Sequence, residues 1–283
     1  MKKVAVVILN YKVADETIKC IKSVQSSTYE NYQIIVVDNN SGDTLEEKLR
    51  KFKDIYFYQN GVNSGYTGGN NIGLKLALRM SIDYCLILNP DTIVDKDCIE
   101  NLVTGAEKLK AGIVGPKIHF SGTENIWYAG GLMDLENVLG KHRGVNEKDI
   151  GQYEEMEETD YVTGAAMLIS IDVIKKVGFF DERFFLYYED SDFCMRAKKA
   201  GSKIFYIPEA LVYHENAKSS GLGSSLQDYF ITRNRMIFAS KYLPFKTRFA
   251  LLREGIRNIG NPIRRLAFFD FLIGNFGKGG FKI

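Results

Sequence analysis

The first hundred residues of the chain alternate between short apolar runs and longer segments with helical spacing. Continuous runs such as VAVVIL (4–9) and QIIVVD (33–38) are typical of strands that are buried on both faces of a sheet. Further strands are predicted at 55–60 and 84–91, and Asp15 is predicted to cap the first helix. Strands that alternate with helices predict an α/β fold with a mainly parallel central sheet flanked by helices.

Polar residues stand at the carboxyl ends of these predicted strands, where Asn10, Asp38 and Asp91 each follow an apolar run. Ligands of open parallel sheets bind at the carboxyl ends of strands. Pro90 has no N–H group and therefore directs the chain out of the sheet just before Asp91. A carboxylate at that point can hold a hard divalent cation that bridges a diphosphate, although a simple turn is an equally good interpretation.

A glycine-rich stretch, GYTGGNN (65–71), is predicted to be a loop in front of a helix. It differs from G-x-G-x-x-G and lacks the Lys-Ser/Thr pair of a P-loop, which argues against a nicotinamide or ATP site. Such a loop is either mobile or lets the backbone approach a phosphate or a sugar at the start of a helix.

The second half of the chain is predicted to continue the α/β pattern after an irregular segment. Residues 119–160 contain the single tryptophan, Trp127, and an acidic stretch, and they predict a long, exposed excursion across the sheet edge. The elements predicted after it are a buried strand at 161–170, a short helix from Asp172, a helix that ends at Gly201, and strands at 203–208 and 210–215.

Three acids fall within four positions in FFLYYEDSDFCMR (184–196), directly after a run of aromatic residues. They are Glu189, Asp190 and Asp192. Like charges this close repel, and burying them costs on the order of several kcal/mol unless something compensates. The acids therefore either cap a helix at the surface or take part in chemistry.

The charge of the chain is distributed unevenly, although the net charge is only +2. From Tyr229 to the end, eleven Lys/Arg stand against two Asp/Glu, so this segment carries 11 − 2 = +9 and the residues before it carry 2 − 9 = −7. This asymmetry predicts a basic helical tail at 226–283 with its own partner. Four tail residues recur at three- and four-residue steps and predict one apolar helix face: Phe245, Phe249, Leu252 and Ile256.

That face has two alternative partners: the rest of the protein, on which the helix would pack, or an anionic membrane surface. Nucleic acid is not expected, because no recognition motif accompanies the basic charge. No apolar stretch approaches the 18 residues of a membrane span, and the run at 4–9 is shorter than the apolar region of a signal peptide. The four cysteines lack C-x-x-C spacing, which predicts buried free thiols and a reducing, cytoplasmic location. If the tail binds lipid, the protein is expected at the inner face of the cell membrane.

Seven blocks of the sequence occur together in a characteristic order: VVILNYK, IIVVDNNSGD, NSGYTGGNNIG, LILNPDT, TGAAMLI, GFFDERFFLYYEDSDFCMR and YHENAKSSG. In order and spacing they resemble the inverting glycosyltransferases of family two, particularly the rhamnosyltransferase-like bacterial branch, over about residues 3–240. The resemblance implies an A-type nucleotide-sugar transferase fold. It implies a catalytic domain at 1–225, with a donor half at about 1–118 and an acceptor half at about 119–225.

The resemblance also implies a role for individual residues. The donor, a nucleoside-diphosphate-sugar based on dTDP or UDP, would contact Asn10, Asp38, Asn63, Tyr66, Asn70 and Asn89. A divalent cation, Mn²⁺ or Mg²⁺, would be held by Asp91 and His214. Asp190 would be the catalytic base, and a glycan or lipid-linked acceptor would lie against Gly164, Glu189 and Asp192. The alternative partner of Glu189 and Asp192 is Arg196.

One departure from the family pattern concerns the metal, because Asn89 stands where the D-x-D motif of the family has its first acid. The loss of that charge leaves metal dependence open. Two other functions are compatible with the residues. A sugar-nucleotidyltransferase would need a basic residue in a phosphate loop after the first strand, where only Lys12 is available. A catalytically silent glycan-binding module would need neither Asp190 nor Asp91.

Overall fold

The computed structural model describes residues 1–215 and 223–282, and these residues form twelve strands and nine helices. The strands are β1 (Val4–Asn10), β2 (Tyr32–Asp38), β3 (Ile55–Gln59), β4 (Tyr84–Leu88), β5 (Thr92–Val94), β6 (Ile113–Phe120), β7 (Ile126–Tyr128), β8 (Gly131–Asp134), β9 (Leu139–His142), β10 (Glu157–Glu158), β11 (Ala166–Ser170) and β12 (Ile204–His214). The helices are α1 (Ala14–Gln25), α2 (Leu45–Leu49), α3 (Gly65–Ala77), α4 (Cys98–Leu109), α5 (Ile171–Val177), α6 (Glu189–Lys199), α7 (Ser225–Tyr242), α8 (Phe245–Arg257) and α9 (Pro262–Leu272). The predicted α/β class is confirmed.

The central sheet has ten strands in the order β10-β12-β6-β11-β4-β1-β2-β3, with β5 on β12 and β7 on β6. Strand β1 pairs in parallel with β2 and β4, and β2 pairs in parallel with β3. Strand β11 runs antiparallel to both of its neighbours, β4 and β6. The predicted parallel arrangement therefore describes β1 to β4 and the β6–β12 pair, whereas the sheet as a whole is mixed.

Both faces of the sheet are covered, which explains the continuous apolar runs. Every residue of β1 is buried. Val6 and Ile8 point into a cluster with Cys20 of α1, whereas Val7 packs into a second cluster with Leu74 of α3. Successive side chains of a strand point to opposite faces, so two helical layers require apolar residues at every position.

The glycine-rich stretch 65–71 is the start of helix α3, so the predicted loop is wrong. Its glycines let the helix lie close to β1. A Cβ at Gly69 would come within 2.3 Å of Leu9 Cδ1, and a Cβ at Gly73 would come within 2.2 Å of Val7 Cγ1. The glycines thus serve helix–strand packing, with a spacing of four residues that keeps them on one helix face.

Helix α1 begins two residues earlier than predicted, because Val13 rather than Asp15 occupies the N-cap position, where it makes no side-chain cap hydrogen bond. Asp15 lies in the first turn, where it is exposed and pairs with Lys48. A carboxylate in the first turn is favoured by the helix dipole, which is why Asp15 still marks the start of the helix.

Residues 119–160 are more ordered than predicted. They form the end of β6, the strand β7, the β8–β9 hairpin and the short edge strand β10. Ile126, Tyr128 and Val138 are fully buried, so only a fraction of the segment is an exposed excursion. Strand β12 is continuous where two strands were predicted, and its register shifts between Ile207 and Leu211, around a proline that needs no ladder hydrogen bond.

The helices after residue 223 pack on one another. The Tyr229 hydroxyl of α7 donates to Asp270 of α9, and Arg264 of α9 pairs with Asp228 of α7 at 2.9 Å. Among the described residues, no helix is long and apolar enough to cross a membrane. The four cysteines are buried free thiols, as predicted.

Candidate active site

Topology brings most of the predicted site residues to one end of the sheet. Strands β1, β2 and β4 are parallel, so their carboxyl ends coincide. Strand β11 is antiparallel to β4 and begins at the same end, with Ala166 opposite Leu88. Strand β12 also ends there, because it is parallel to β6, which is itself antiparallel to β11. This end of the sheet is called the carboxyl end below.

Asp91 and His214 meet at the carboxyl end although they are far apart in sequence. Strand β5 pairs with the last residues of β12 and places Thr92 opposite His214. The Glu215 N–H donates to the Asp91 carbonyl at 2.8 Å, which fixes the two chains beside each other. His214 Nε2 consequently lies 3.4 Å from Asp91 Oδ1. The pairing predicted for the metal site is present in the fold.

The imidazole of His214 is buried, and neither of its ring nitrogens has a hydrogen-bond partner among the described residues. Burial lowers the pKa of His214, and the charge of Asp91 only partly opposes this shift, so the ring is neutral at pH 7. A buried polar group without a partner is rare and requires an explanation, such as a bound water molecule or ion. A neutral imidazole next to a carboxylate is a suitable pair of ligands for a divalent transition-metal ion.

Trp127 forms the platform beneath His214, with ring centroids 4.7 Å apart and 6° between the ring planes. His142 meets the indole edge-on at 4.4 Å, and its Nδ1 is 3.1 Å from the Trp127 carbonyl oxygen. These contacts restrain the orientation of His214, as outer contacts commonly do for metal-binding histidines. In the described part of the chain, no three His, Cys, Asp or Glu side chains converge, so this pair would be completed by other oxygen atoms.

Asp190 lies in the first turn of α6 and is half-buried. Its carboxylate accepts from the Ser191 N–H at 2.6 Å and from the Gly164 N–H at 3.2 Å. Burial raises the pKa of Asp190, and the hydrogen bonds from Ser191 and Gly164 only partly oppose the rise. A carboxylate with a raised pKa is a stronger base than an exposed aspartate, which suits proton abstraction near neutral pH.

Gly164 links Asp190 to the donor half of the chain. Its carbonyl accepts from the Tyr66 hydroxyl at 2.6 Å, while its N–H donates to Asp190. A Cβ at Gly164 would stand 2.4 Å from the Tyr66 hydroxyl, so a side chain cannot be accommodated without displacing the tyrosine. The structure thus brings three of the predicted residues together.

Glu189 precedes Asp190 and is 5% exposed, and its Oε2 atom has no hydrogen-bond partner among the described residues. Burial, reinforced by the charge of Asp190, raises the pKa of Glu189 well above its ordinary value. Because two adjacent carboxylates repel each other, the two groups cannot both ionise easily.

Asp192 is not available to an acceptor, because it is fully buried in an ion-pair network. Its Oδ2 accepts from Arg196 Nε at 2.9 Å, and its Oδ1 accepts from the Tyr242 hydroxyl at 2.7 Å and from Lys241. Of the two partners expected for Asp192, acceptor hydroxyls or Arg196, the structure shows Arg196. The carboxylate instead joins α6 to the end of α7.

Asn10 and Asp38 lie side by side at the ends of β1 and β2, and Asn10 Nδ2 donates to Asp38 Oδ1 at 2.6 Å. Asn10 is fully buried and also donates to Ser41, so it orients Asp38, while its contact with the donor stays a prediction. Partial burial would raise the pKa of Asp38, but hydrogen bonds from Ser41, Asn10 and Gln59 outweigh it and hold the pKa below the ordinary value.

The remaining donor-side residues lie on α3, on the loop before it and at the end of β4. Asn63 Oδ1 accepts from Asn39 Nδ2 and from the Gly65 N–H, both at 2.9 Å. Asn70 is fully buried, donates to the Tyr66 carbonyl and has an Oδ1 without a partner among the described residues. Asn89 is half-buried directly after β4, with its N–H bonded to the Ala165 carbonyl at 2.9 Å.

Sequence reasoning missed the residues that support the site from outside the motifs. Trp127 is an example, since an indole in an irregular segment carries no sign of the histidine that it stacks against. Asn234 is another: its side chain contacts the Phe184, Leu186 and Tyr187 carbonyls just before Asp190. Here a signal exists, because an asparagine in the middle of a helix has poor helix propensity and favours a hydrogen-bonding role. In the YHENAKSSG block, residues 216–221 lie outside the described residues.

Sequence comparisons identify relatives over most of the chain. The family model for glycosyl transferase family 2 matches residues 5–178, more than half of the sequence. The low-salt glycan biosynthesis hexosyltransferase Agl10 of Haloferax volcanii is 30% identical over 236 residues, which cover 82% of this chain and 74% of that protein. The N-acetylglucosaminyl-diphospho-decaprenol L-rhamnosyltransferase of Mycobacterium tuberculosis is 25% identical over 237 residues, covering 76% and 77%.

Solved structures share the fold. GalNAc-T7, crystallised with UDP, GalNAc and Mn²⁺, superposes with a TM-score of 0.64 at 18% identity, over 76% of this chain but only 43% of that one. The S. aureus TarS 1–349 complex with UDP-GlcNAc superposes with a TM-score of 0.60 at 16% identity, over 92% and 73%. The fold is the A-type fold of nucleotide-sugar transferases, and the chain belongs to glycosyl transferase family 2.

Proposed function

We propose that this glycosyltransferase moves a sugar from a nucleoside-diphosphate donor to a glycan or lipid-linked acceptor, with inversion, in the synthesis of a cell-surface polysaccharide. One observation carries the proposal: two groups of side chains lie at the same end of the sheet. The first is the buried, unpartnered imidazole of His214 beside the Asp91 carboxylate, and the second is the half-buried Asp190. Rhamnose is the favoured sugar, because relatives in this family include dTDP-rhamnosyl transferase RfbF of Shigella flexneri, and dTDP and UDP are the candidate nucleotides.

Inverting transfer is a single displacement at the anomeric carbon of the donor. The acceptor hydroxyl oxygen forms the new bond, the bond to the diphosphate oxygen breaks, and the hydroxyl proton passes to a base. Asp190 is placed for this role by the Ser191 and Gly164 N–H groups, which hold the carboxylate in one orientation. Glu189, with its unpartnered oxygen, would hydrogen-bond an acceptor hydroxyl, and Gly164, whose N–H donates to Asp190, would lie near the acceptor.

A divalent cation, Mn²⁺ or Mg²⁺, fits the pair formed by Asp91 and His214, because both imidazole nitrogens lack partners among the described residues. When bound, the cation would neutralise charge that develops on the leaving diphosphate. Asp91 would bind the cation through its carboxylate, and Trp127 would hold the plane of His214. Asn89 would contribute neutral contacts to the donor in place of a second acid.

The nucleotide would lie over the ends of β1 and β2. Asp38 is held ionised by hydrogen bonds from Ser41 and Gln59, so it can accept from the N–H of a pyrimidine base. Asn63, Tyr66 and Asn70 would lie along the nucleotide and the sugar. The chain up to residue 118 is thus proposed as the donor half, and 119–225 as the acceptor half.

We also propose that the tail, 226–283, rests on an anionic membrane, the location of a lipid-linked acceptor, at the cytoplasmic face. Phe245, Phe249 and Ile256 of α8 are 77%, 49% and 60% exposed, which supports this proposal, whereas Leu252, the fourth residue of the predicted apolar face, is partly buried against the core. Lys246 and Arg253 of the same helix are exposed and would meet anionic headgroups.

The proposed function is tested by offering purified protein a panel of dTDP- and UDP-sugars with and without Mn²⁺. A donor that binds should raise the melting temperature by mass action. The same donor should then be consumed with release of the nucleoside diphosphate when acceptor is present. Binding without turnover would indicate a glycan-binding module, and release of pyrophosphate from a nucleoside triphosphate and a sugar phosphate would indicate a nucleotidyltransferase.

A further inference from the structure

The aromatic segment in front of Asp190 has an unusual backbone. Phe185, Tyr187 and Tyr188 have φ angles of 64°, 67° and 72°, in the left-handed region. Residues with a side chain rarely adopt this conformation, and three within four positions persist only where the surroundings hold them. Tyr188 is the N-cap residue of α6, so the twisted segment directly sets where the first turn of that helix begins.

Asn234 of α7 hydrogen-bonds this segment from outside, in addition to the bond within it from the Leu186 N–H to the Phe184 carbonyl. Its side-chain Nδ2 lies 2.8 Å from the carbonyl oxygens of Phe184, Leu186 and Tyr187. The amide is fully buried, and its Oδ1 accepts from Arg233 Nε at 3.1 Å. One amide group thus contacts three carbonyl oxygens, and because it carries only two N–H bonds, at least one of them is shared between two oxygens.

Arg233 also hydrogen-bonds backbone carbonyl groups at the start of this segment. It is fully buried, and its Nη2 lies 3.2 Å from the Phe184 carbonyl and 3.3 Å from the Arg183 carbonyl. The guanidinium stands over the ring of Phe230, 5.0 Å from its centroid, and Phe230 in turn stacks on Phe185 at 5.3 Å. Burying a cation is costly unless it is well paired, so placing this one against backbone carbonyls indicates a specific task.

We propose that Asn234, supported by Arg233, is a positioning residue for catalysis: it holds the left-handed segment 184–188 so that Asp190 faces the carboxyl end of the sheet. Helix α7 would then belong to the catalytic apparatus rather than to an appended tail. The inference rests on the proposed role of Asp190 as the base. It assigns function to residues beyond the segment matched by the family model, which ends at residue 178.

The test compares Asn234→Asp, Asn234→Ala and Arg233→Lys with Asp190→Asn and with Ile237→Val, a buried α7 control that leaves the hydrogen bonds intact. Donor turnover, donor KM, affinity for UDP or dTDP with Mn²⁺ and melting temperature are measured for each. Asn234→Asp and Asn234→Ala are expected to lower kcat at least tenfold while the KM and the nucleotide affinity stay within about twofold of wild type. Arg233→Lys should show a smaller loss of kcat.

Asn234→Asp adds a second measurement, the pH dependence of kcat, which a mere loss of stability would not change in the same way. The new carboxyl can donate a hydrogen bond only when it is protonated. Its kcat relative to wild type should therefore recover as the pH is lowered. A crystal structure of Asn234→Ala should show changed φ angles at 185–188, and it remains decisive if activity is too low to measure.

Three results separate the alternatives. If Asn234→Asp and Asn234→Ala lose melting temperature but keep wild-type kcat, the positioning role is wrong and Asn234 is only structural. An unchanged backbone at 185–188 in the Asn234→Ala crystal would equally overturn it. If Asp190→Asn itself keeps wild-type kcat, the assigned base is wrong. That result would contradict the proposed function, but not the contacts of Asn234 with segment 184–188.

Discussion

The imidazole of His214 lies flat against the indole of Trp127, with 4.7 Å between the ring centroids and 6° between the planes. Trp127 is the single tryptophan of the chain. Its fluorescence therefore reports on one place only, the surroundings of the proposed metal ligand. This arrangement allows metal binding to be followed without any label and without knowing the sugar donor.

We expect Mn²⁺ to quench Trp127 fluorescence and to strengthen binding of UDP or dTDP, because a cation between Asp91 and His214 offsets the charge of the diphosphate. Asp91→Ala and His214→Ala should each weaken both effects. Asp172→Ala, which removes an exposed acid from α5, is the matched control and should behave as wild type. Equal nucleotide affinity in calorimetry with EDTA and with Mn²⁺ would contradict the metal site.

Replacing Asp190 by Asn should lower turnover by roughly two to four orders of magnitude, the usual contribution of a general base. The amide keeps the shape of the side chain, so the fold and the nucleotide affinity should be retained. Steady-state kinetics with calorimetry on the same preparation checks both statements, with Asp172→Asn as the control. Turnover near the wild-type value would remove Asp190 from the mechanism.

Acid should destabilise the protein partly through His142. Burial lowers the pKa of His142 from 6.5 to about 4, so the unfolded chain takes up a proton at a higher pH than the folded one. The associated stability is present above pH 6.5 and is lost as the pH falls towards 4. Between pH 8 and pH 5 this amounts to about 2 kcal/mol of unfolding free energy.

His142→Phe keeps an aromatic ring against Trp127 but cannot take up a proton. Urea unfolding at pH 8 and pH 5 should therefore show a smaller loss of stability in this variant than in wild type. The comparison between the two proteins cancels the other groups that titrate in this range. An equal loss in both would mean that His142 is protonated in the folded state at pH 5.

The tail should bind vesicles that contain anionic lipid, and binding should weaken as salt rises, because the exposed basic residues are screened. Replacing the exposed apolar residues Phe245, Phe249 and Ile256 by Ser should abolish sedimentation with the vesicles and leave nucleotide binding unchanged. Ile150→Ser, at an 80% exposed apolar position elsewhere, is the control. Wild-type protein that stays in the supernatant at low salt would exclude this membrane role.

To test the membrane role, point substitutions are preferable to deleting all residues after Leu243. Such a deletion would take away α9, which packs on α7 through Asp270 and Ala267. Tyr229 and Phe230 of α7, now fully buried, would lose some of their cover. A loss of function in the truncated protein would then reflect damage to the fold as much as the loss of a membrane contact.

Gly73→Ala should destabilise the protein by roughly 1–3 kcal/mol, the usual cost of overpacking a core. The added methyl group would lie 2.2 Å from Val7 Cγ1, on a β-branched residue of a fully buried strand, and α3 would have to move. Gly61→Ala is the control, since a Cβ there meets nothing within 4 Å. Urea unfolding of the two variants decides whether close packing explains the glycine.

Strands are the feature that sequence reasoning predicted well. Apolar runs located β1, β2 and β4, since only strands covered on both faces need apolar residues at every position. Local pattern could not reveal that β11 reverses direction, or that the glycines of 65–71 pack in a helix, because both depend on neighbours distant in sequence.

The residues of the candidate site also divide into those that motifs could predict and those that they could not. Motifs predicted Asp91 and His214 as metal ligands, and the proximity of the two residues follows from the pairing of β5 with β12. The burial of Asp192 could not be anticipated, since its partners Lys241 and Tyr242 lie about fifty residues further along the chain. Nothing in the identity of an aromatic residue indicates a left-handed backbone either, so the conformation of 185–188 had to come from the structure.

The long sequence separations within the site have a consequence for how the protein is made. Helix α7 binds the segment at 184–188 from about fifty residues further on, and the β5–β12 pairing spans a still longer stretch. On a ribosome that adds about 5–20 residues per second, the parallel strands can assemble first. The nascent protein would then pass through a stage in which these strands have formed but the site is incomplete, and sugar transfer could begin only after helix α7 has been made.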